Sequence, residues 1–426
     1  MDDCVMYRGV EVAENSTKGI PADEPDDIAP RLSEARDVLH WGAAAEAAEI
    51  FRVLQEEAAS LGLVPERAAA LVGLGDCALE SGKLNDARDH FAEAELLLAD
   101  EPPACRAPAR RGRALAHLLT GELRYGCHLL ETALEELDAV GAGAGTGAGA
   151  DAGSGADASA GASAGAGDPS ALLALHTAAI APYIDLGAYA RAARAAELAL
   201  ALTARVDDPV LVAGALRGAA RVLVVEGRFA EAGAALDRAR DLCRSRGIRI
   251  ELAHCHWTSG YVHAQGGKLA AAERELRTAR AMLAAKRAPL FTVQVEVELA
   301  DVLRRRGKAD EAAGLLAPLL TPSALGAERG AVHAGGAHRL LGLMAEDRGD
   351  TETAEEHYCA ALSLLERTGA AGDLADLCRL LGDLLRRSGC VEAALNAYRT
   401  GLGHRAAPGT TTLCPAPPVR PRRPCG

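Results

Sequence analysis

The side chains best suited to chemistry in this 426-residue sequence stand in one short run, His254, Cys255 and His256, with His263 one helical stretch beyond. Imidazole and thiolate hold zinc and similar ions when three or four of them converge on one point. On a helix these do not converge: His256 and His263 lie two turns apart on one face, whereas His254 and His256 diverge by about 200°. No metal site is expected, and the cluster is assigned to a wall. A second signal, GASAG at 161–165, has the GxSxG spacing of a nucleophile elbow. That motif needs a strand entering a strained turn and a helix leaving it, and here it sits in GAGAGTGAGADAGSGADASAGASAGAG, residues 141–167, which can bury no core. GxxxxGK[ST], HExxH and GxGxxG patterns do not occur. No cofactor is expected, and the chain reads as a non-enzyme because no polar groups converge.

Composition points to helices. Ala, Leu, Gly and Arg dominate, aromatic residues make up 3%, and the best strand-like run, TVQVEVEL at 292–299, lies among helical patterns, so no sheet is expected. The net charge of −13 excludes a general attraction to nucleic-acid phosphates or anionic membranes. The start, MDDCVMYRGVEVAENSTKG, has neither a positive n-region nor an apolar h-region, and no later stretch gives 18 uncharged apolar residues. A soluble, cytoplasmic protein is expected. The 11 cysteines contain no CxxC and are read as reduced, mostly buried thiols.

The elements that carry these residues are set by a repeat. Glycine recurs at 42, 82, 121, 187, 227, 267, 307, 349 and 389, at intervals close to 40 apart from one of 66. Five, nine and twelve residues after each glycine stand a small residue, a mostly large one and another mostly small one, as in Ala87, Phe91 and Ala94. These offsets mark one helical face. Seven residues before the glycine is a further mostly small position, such as Gly75, Ala220, Gly260, Gly342 and Gly382, with Ile180 the exception. Small residues there let two helices approach closely, and the large residue fills the space between neighbouring pairs.

In order, Leu74, Gly75, Gly82, Ala87, Phe91 and Ala94 resemble the tetratricopeptide repeat, as do Leu341, Gly342, Gly349, Ala354, Tyr358 and Ala361. The resemblance implies an all-α fold, an α-solenoid of about nine antiparallel helix pairs in a right-handed superhelix. It departs from the family in its longer period and in the absence of the closing proline, displaced to Pro102, Pro209, Pro289 and Pro322. The expected divisions are an acidic, disordered segment 1–30, three units over 31–140, a flexible Gly/Ala-rich linker 141–168 spanning roughly 30 Å, six units over 169–404, and a disordered Pro/Arg-rich tail 405–426. Whether the array runs through the linker or splits there stays open.

In tetratricopeptide arrays the first helix of each unit lines the concave groove, at fixed offsets from its small packing residue. Carried onto this sequence, the offsets name His254, Trp257, Tyr261 and Gln265, an aromatic, hydrogen-bonding patch. They further name Arg217 and Arg221, then Gln294, Asp301, Arg304 and Arg305, then Arg339, and Arg379, Asp383, Arg386 and Arg387. Such a groove is richer in arginine than in carboxylate and suits a carboxylate or an acidic helix, although Arg304, Arg305, Arg386 and Arg387 also complement helix dipoles in the last turn. The resemblance implies a protein-interaction scaffold that binds a partner segment without chemistry of its own. The alternative is a regulatory receptor for a signalling peptide or small ligand, similar to the sensory arms of bacterial transcription regulators but without a helix-turn-helix domain. Apolar faces left on the first or last unit offer a route to a homodimer.

Overall fold

A computed structural model describes residues 28–145, 168–286, 289–320, 331–366 and 371–403. Each repeat is a helix pair. The pairs are α1 (Ile28–Trp41) with α2 (Ala44–Leu61), α3 (Val64–Glu80) with α4 (Leu84–Leu97), α5 (Pro103–Leu119) with α6 (Leu123–Gly145), α7 (Pro169–Asp185) with α8 (Tyr189–Leu202), and α9 (Pro209–Val225) with α10 (Phe229–Arg246). They continue as α11 (Arg249–Gln265) with α12 (Leu269–Ala285), α13 (Pro289–Arg305) with α14 (Ala309–Leu316), α15 (Ala331–Asp347) with α16 (Thr351–Leu365), and α17 (Ala371–Arg387) with α18 (Val391–Leu402). No strand occurs among the described residues, and residues 292–299 lie within α13.

The turns explain the glycines. All nine recurring glycines have φ between 71° and 95°, a left-handed conformation that costs glycine nothing and other residues strain. At Gly82 the amides of Gly82 and Lys83 bond Leu79 O at 3.0 Å and Ala78 O at 2.8 Å. These two bonds satisfy carbonyls that the end of α3 would leave free. The prolines missing from unit ends stand in the first turn of the next first helix: Pro103, Pro169 and Pro209 open α5, α7 and α9, where the lost N–H has no helical partner in any case. Asp168 and Asp208 cap two of these helices.

The small residues explain the spacing. A Cβ on Gly75 would stand 2.5 Å from the Phe91 ring, and one on Gly112 of the next pair still closer to the same ring. Phe91 is thus clamped between its own pair and the following one. Gly260 meets Leu276 at 2.6 Å in the same register, and Gly342 and Gly382 meet Tyr358 and Tyr398. The long period comes from long helices rather than long turns: α3 and α5 each span 17 residues, about 25 Å.

The array is continuous across the Gly/Ala-rich segment. Ala114 of α5 and Leu130 of α6 share one core cluster with Leu175 and Ile180 of α7 and Ala196 of α8. Helix α6 also runs to Gly145, five residues into the stretch expected as linker. The acidic start, GASAG and the Pro/Arg-rich tail lie outside the described residues. Cys77, Cys127, Cys243, Cys255 and Cys378 are buried free thiols, while Cys105, Cys359 and Cys390 are exposed. Among the described residues no helix is long and apolar enough to cross a membrane.

The superhelix turns far enough to meet itself. Helix α1 contacts α11, α3 contacts α13, and α7 contacts α17. Trp41, at the end of α1, has the Arg249 guanidinium 4.5 Å and the Lys286 ammonium 4.4 Å from its ring centroid, two cation–π contacts.

Replacing Gly75 with alanine should lower the melting temperature of the helical signal in circular dichroism, by overpacking worth about 1–3 kcal/mol. Gly233→Ala, in α10 with nothing within 4 Å of the new methyl, should raise it, by about 0.5–1 kcal/mol of helix propensity. A Gly75→Ala protein as stable as the wild type would contradict the clamp.

Candidate functional site

First helices of all nine pairs, from Leu39 and His40 in α1 to Asp373 in α17, line one cavity of about 470 Å³ inside the superhelix. One wall is apolar, with Leu115, Leu118, Ala178, Trp257 and Phe291. His254 stands between the rings of Trp257 and Phe291, 6.2 and 5.0 Å from their centroids.

The opposite character is acidic. Six carboxylates (Asp76, Glu80, Asp185, Glu251, Glu298 and Asp373) line the cavity against three arginines, Arg111, Arg217 and Arg221. Two of the arginines are already engaged: Arg217 Nε donates to Glu251 Oε1 at 2.5 Å, and Arg221 stands 3.5 Å from Asp185. Burial pushes the Glu80 carboxyl up to about 7, against the pull of His254 across the cavity. Asp185 is pushed up to about 6 by burial, partly offset by Arg221. Asp76 is also raised by burial, against Arg111, His40 and Arg36. Glu251 goes the other way: burial raises it, but Arg217 and His254 together outweigh that and hold it at about 2. Burial alone lowers His333 to about 4.

Some of the buried polar atoms have no hydrogen-bond partner. Glu80 Oε2 and His254 Nε2 are covered yet take part in no hydrogen bond among the described residues, and Asp185 Oδ1 has only its 3.5 Å ion pair with Arg221. Buried polar atoms are nearly always satisfied, so these three mark positions where a bound group would complete the bonding.

Of the residues expected at the groove, Arg217, Arg221, His254, Trp257, Tyr261 and Gln294 line the cavity. Tyr261 is largely buried beside Ala220 and Leu236, and Gln294 Nε2 stands 2.7 Å from His333 Nε2. The others stand elsewhere. Arg339, only 2% exposed, pairs with Asp376 at 3.3 Å. Asp301 is buried between Arg304 and Arg305, at 3.7 and 3.6 Å, with Arg339 nearby. Arg304 also reaches Asp347 at 3.0 Å. Gln265 is half-buried, and Arg379 is half-exposed and bonded to Asp376 and Asp383 on its own helix. The expected excess of arginine is thus spent inside the wall, and the lining reverses it. The carboxylates were within reach of the sequence. The same set of offsets also names Asp76 and Glu80, one and five residues after Gly75, and Asp185, five residues after Ile180.

No family model matches the chain, and no curated protein matches it either. Among solved structures, a Rap protein complexed with Competence and Sporulation Factor superposes with a TM-score of 0.61 at 14% identity, over 89% of this chain and 97% of that one. The fold is that of a tetratricopeptide-type solenoid. The apo form of the quorum sensor NprR from B. thuringiensis gives 0.51 at 12% identity over 89% and 99% of the two chains. Aspartyl phosphate phosphatase F from Bacillus subtilis gives 0.50 at 11%, over 91% and 96%. At these identities the likeness is one of fold.

Glu80 makes stability depend on pH. Its carboxyl titrates near 7 when folded against an ordinary 4.5, so its stabilising contribution is fully present below the lower value and is lost as pH rises through the higher one. Glu80→Gln should therefore gain melting temperature relative to the wild type between about pH 5 and about pH 8. A difference that stays flat over that range would show that Glu80 titrates normally.

Proposed function

We propose that the chain is a non-catalytic interaction protein whose superhelical interior holds a peptide segment of a partner. The observation that carries this reading is the single cavity built by first helices of all nine pairs, where Trp257, Phe291 and His254 offer an apolar and aromatic wall and Glu80, Asp185 and His254 leave buried polar atoms without hydrogen-bond partners. A peptide backbone supplies donors and acceptors at close intervals, and an adjoining side chain fills the apolar wall. The carboxylates that outnumber the arginines favour a segment with hydrogen-bond donors over an acidic helix.

A second reading, a receptor for a short signalling peptide or small ligand, is favoured by the enclosure. The contacts of α1 with α11 and of α3 with α13 close the groove across one superhelical turn, and the volume of about 470 Å³ falls in the range of roughly 300–1,000 Å³ typical of small-ligand sites. A cytoplasmic location suits both readings.

Thermal-shift screening with a synthetic short-peptide library tests the proposal. Peptides that raise the melting temperature should bind Trp257→Ala at least about tenfold more weakly, a loss of about 1.4 kcal/mol or more, while circular dichroism shows the variant folded. Equal binding by Trp257→Ala would remove the cavity from the interaction. Shifts from metabolites, with none from peptides, would favour the small-ligand receptor.

A further inference from the structure

The last helix pair carries an apolar face that the repeat itself shows how to cover. Val391, Leu395 and Leu402 of α18 are 56%, 48% and 84% exposed. With Tyr398, which packs on Gly382, they are spaced four, three and four residues apart and form one stripe, the spacing of a two-helix seam. The same register positions in α6, two, six, nine and thirteen residues after the turn glycine, are Leu123, Cys127, Leu130 and Leu134. There the next pair follows, and Leu123, Cys127 and Leu130 are buried at 6%, 4% and 0%, with Leu134 packed in the core that α7 completes. The stripe on α18 therefore matches positions that α7 helps to cover in α6 at Cys127, Leu130 and Leu134, although Leu200 of α8 and Phe229 of α10 at the same register stay 39% and 38% exposed; α18 itself packs on α17.

We infer that a second copy of this chain covers it, through antiparallel pairing of α18 with its counterpart. The charges flanking the stripe suit that partner. Glu392 and Arg399 are exposed, have no ion-pair partner among the described residues, and stand seven residues apart on the same side of the stripe. A two-fold axis passing beside Leu395 sets Glu392 of each copy against Arg399 of the other, twice over, which is the isologous complementarity of a symmetric dimer. A parallel pairing would set both charges against the uncharged Ala394 and Gly401. One helix pair is a small interface, so a dimer in the micromolar range is expected.

Analytical ultracentrifugation of the full chain over a micromolar concentration series tests this, independently of any ligand in the cavity. The wild type should show a monomer–dimer equilibrium, and Leu395→Glu should sediment as a monomer with an unchanged circular dichroism melt, since the side chain is exposed. Glu392→Arg and Arg399→Glu should each weaken the dimer at low salt by about fivefold, and the double exchange should restore it. A wild type that stays monomeric overturns the inference and leaves the stripe to another chain. A dimer that survives Leu395→Glu, or a double exchange no better than the single ones, overturns it equally.

Discussion

The structure depends on how closely two helices can approach at the small residue seven positions before each turn. With glycine there, as at Gly75, the large side chain of the second helix lies against backbone and touches two neighbouring pairs at once. Each pair is thereby set against the next at nearly the same spacing and angle, because the same clamp recurs. A repeated rotation of this kind accumulates. By the sixth pair it has carried the chain back to its first helix, where Trp41 meets Arg249 and Lys286. The enclosed cavity is thus a consequence of glycine and alanine placement far from it, and no residue lining it had to be selected to close it.

That origin explains why the fold was legible. A turn that requires positive φ and a helix pair that requires a missing side chain both write themselves into the sequence as glycine at fixed intervals, and nine repetitions remove coincidence. The hydrogen bonds at Gly82 and the clamp on Phe91 are what those letters encode. The continuity across the 66-residue interval was not legible, since it rests on Ala114, Leu130, Leu175 and Ile180 meeting in space, and phase alone is compatible with either arrangement.

The site was legible in part, for a geometric reason. Offsets from the packing residue find the lining in the fifth and sixth pairs, at Arg217, Arg221, His254 and Trp257. In the last three pairs they find Gln294, but miss Glu298, His333 and Asp373, which also line the cavity. Others that the offsets name there, Asp301, Arg304 and Arg339, fall inside the wall. A fixed register therefore does not track the lining through all nine pairs. Charge misleads at the same places, because an arginine in sequence does not reveal whether its partner is a ligand or, as for Arg339, the carboxylate of Asp376 in the adjoining pair.

The cavity's charge balance bears on how it works. Burying Asp76, Glu80 and Asp185 together costs solvation, and the cost appears as carboxyls that hold their protons well above the usual range. A stack built for stability alone would fill such positions with leucine, as it does at Leu115 and Leu118. On the proposed reading, the unmet bonds at Glu80 Oε2 and His254 Nε2 let a bound segment complete them without first breaking any within the protein. The closing contacts between α1 and α11 act on the same balance. Where Trp41 meets Arg249 and Lys286, an exposed ring and two cations make the contact, and none of the three belongs to the hydrophobic core clusters that hold each pair to the next.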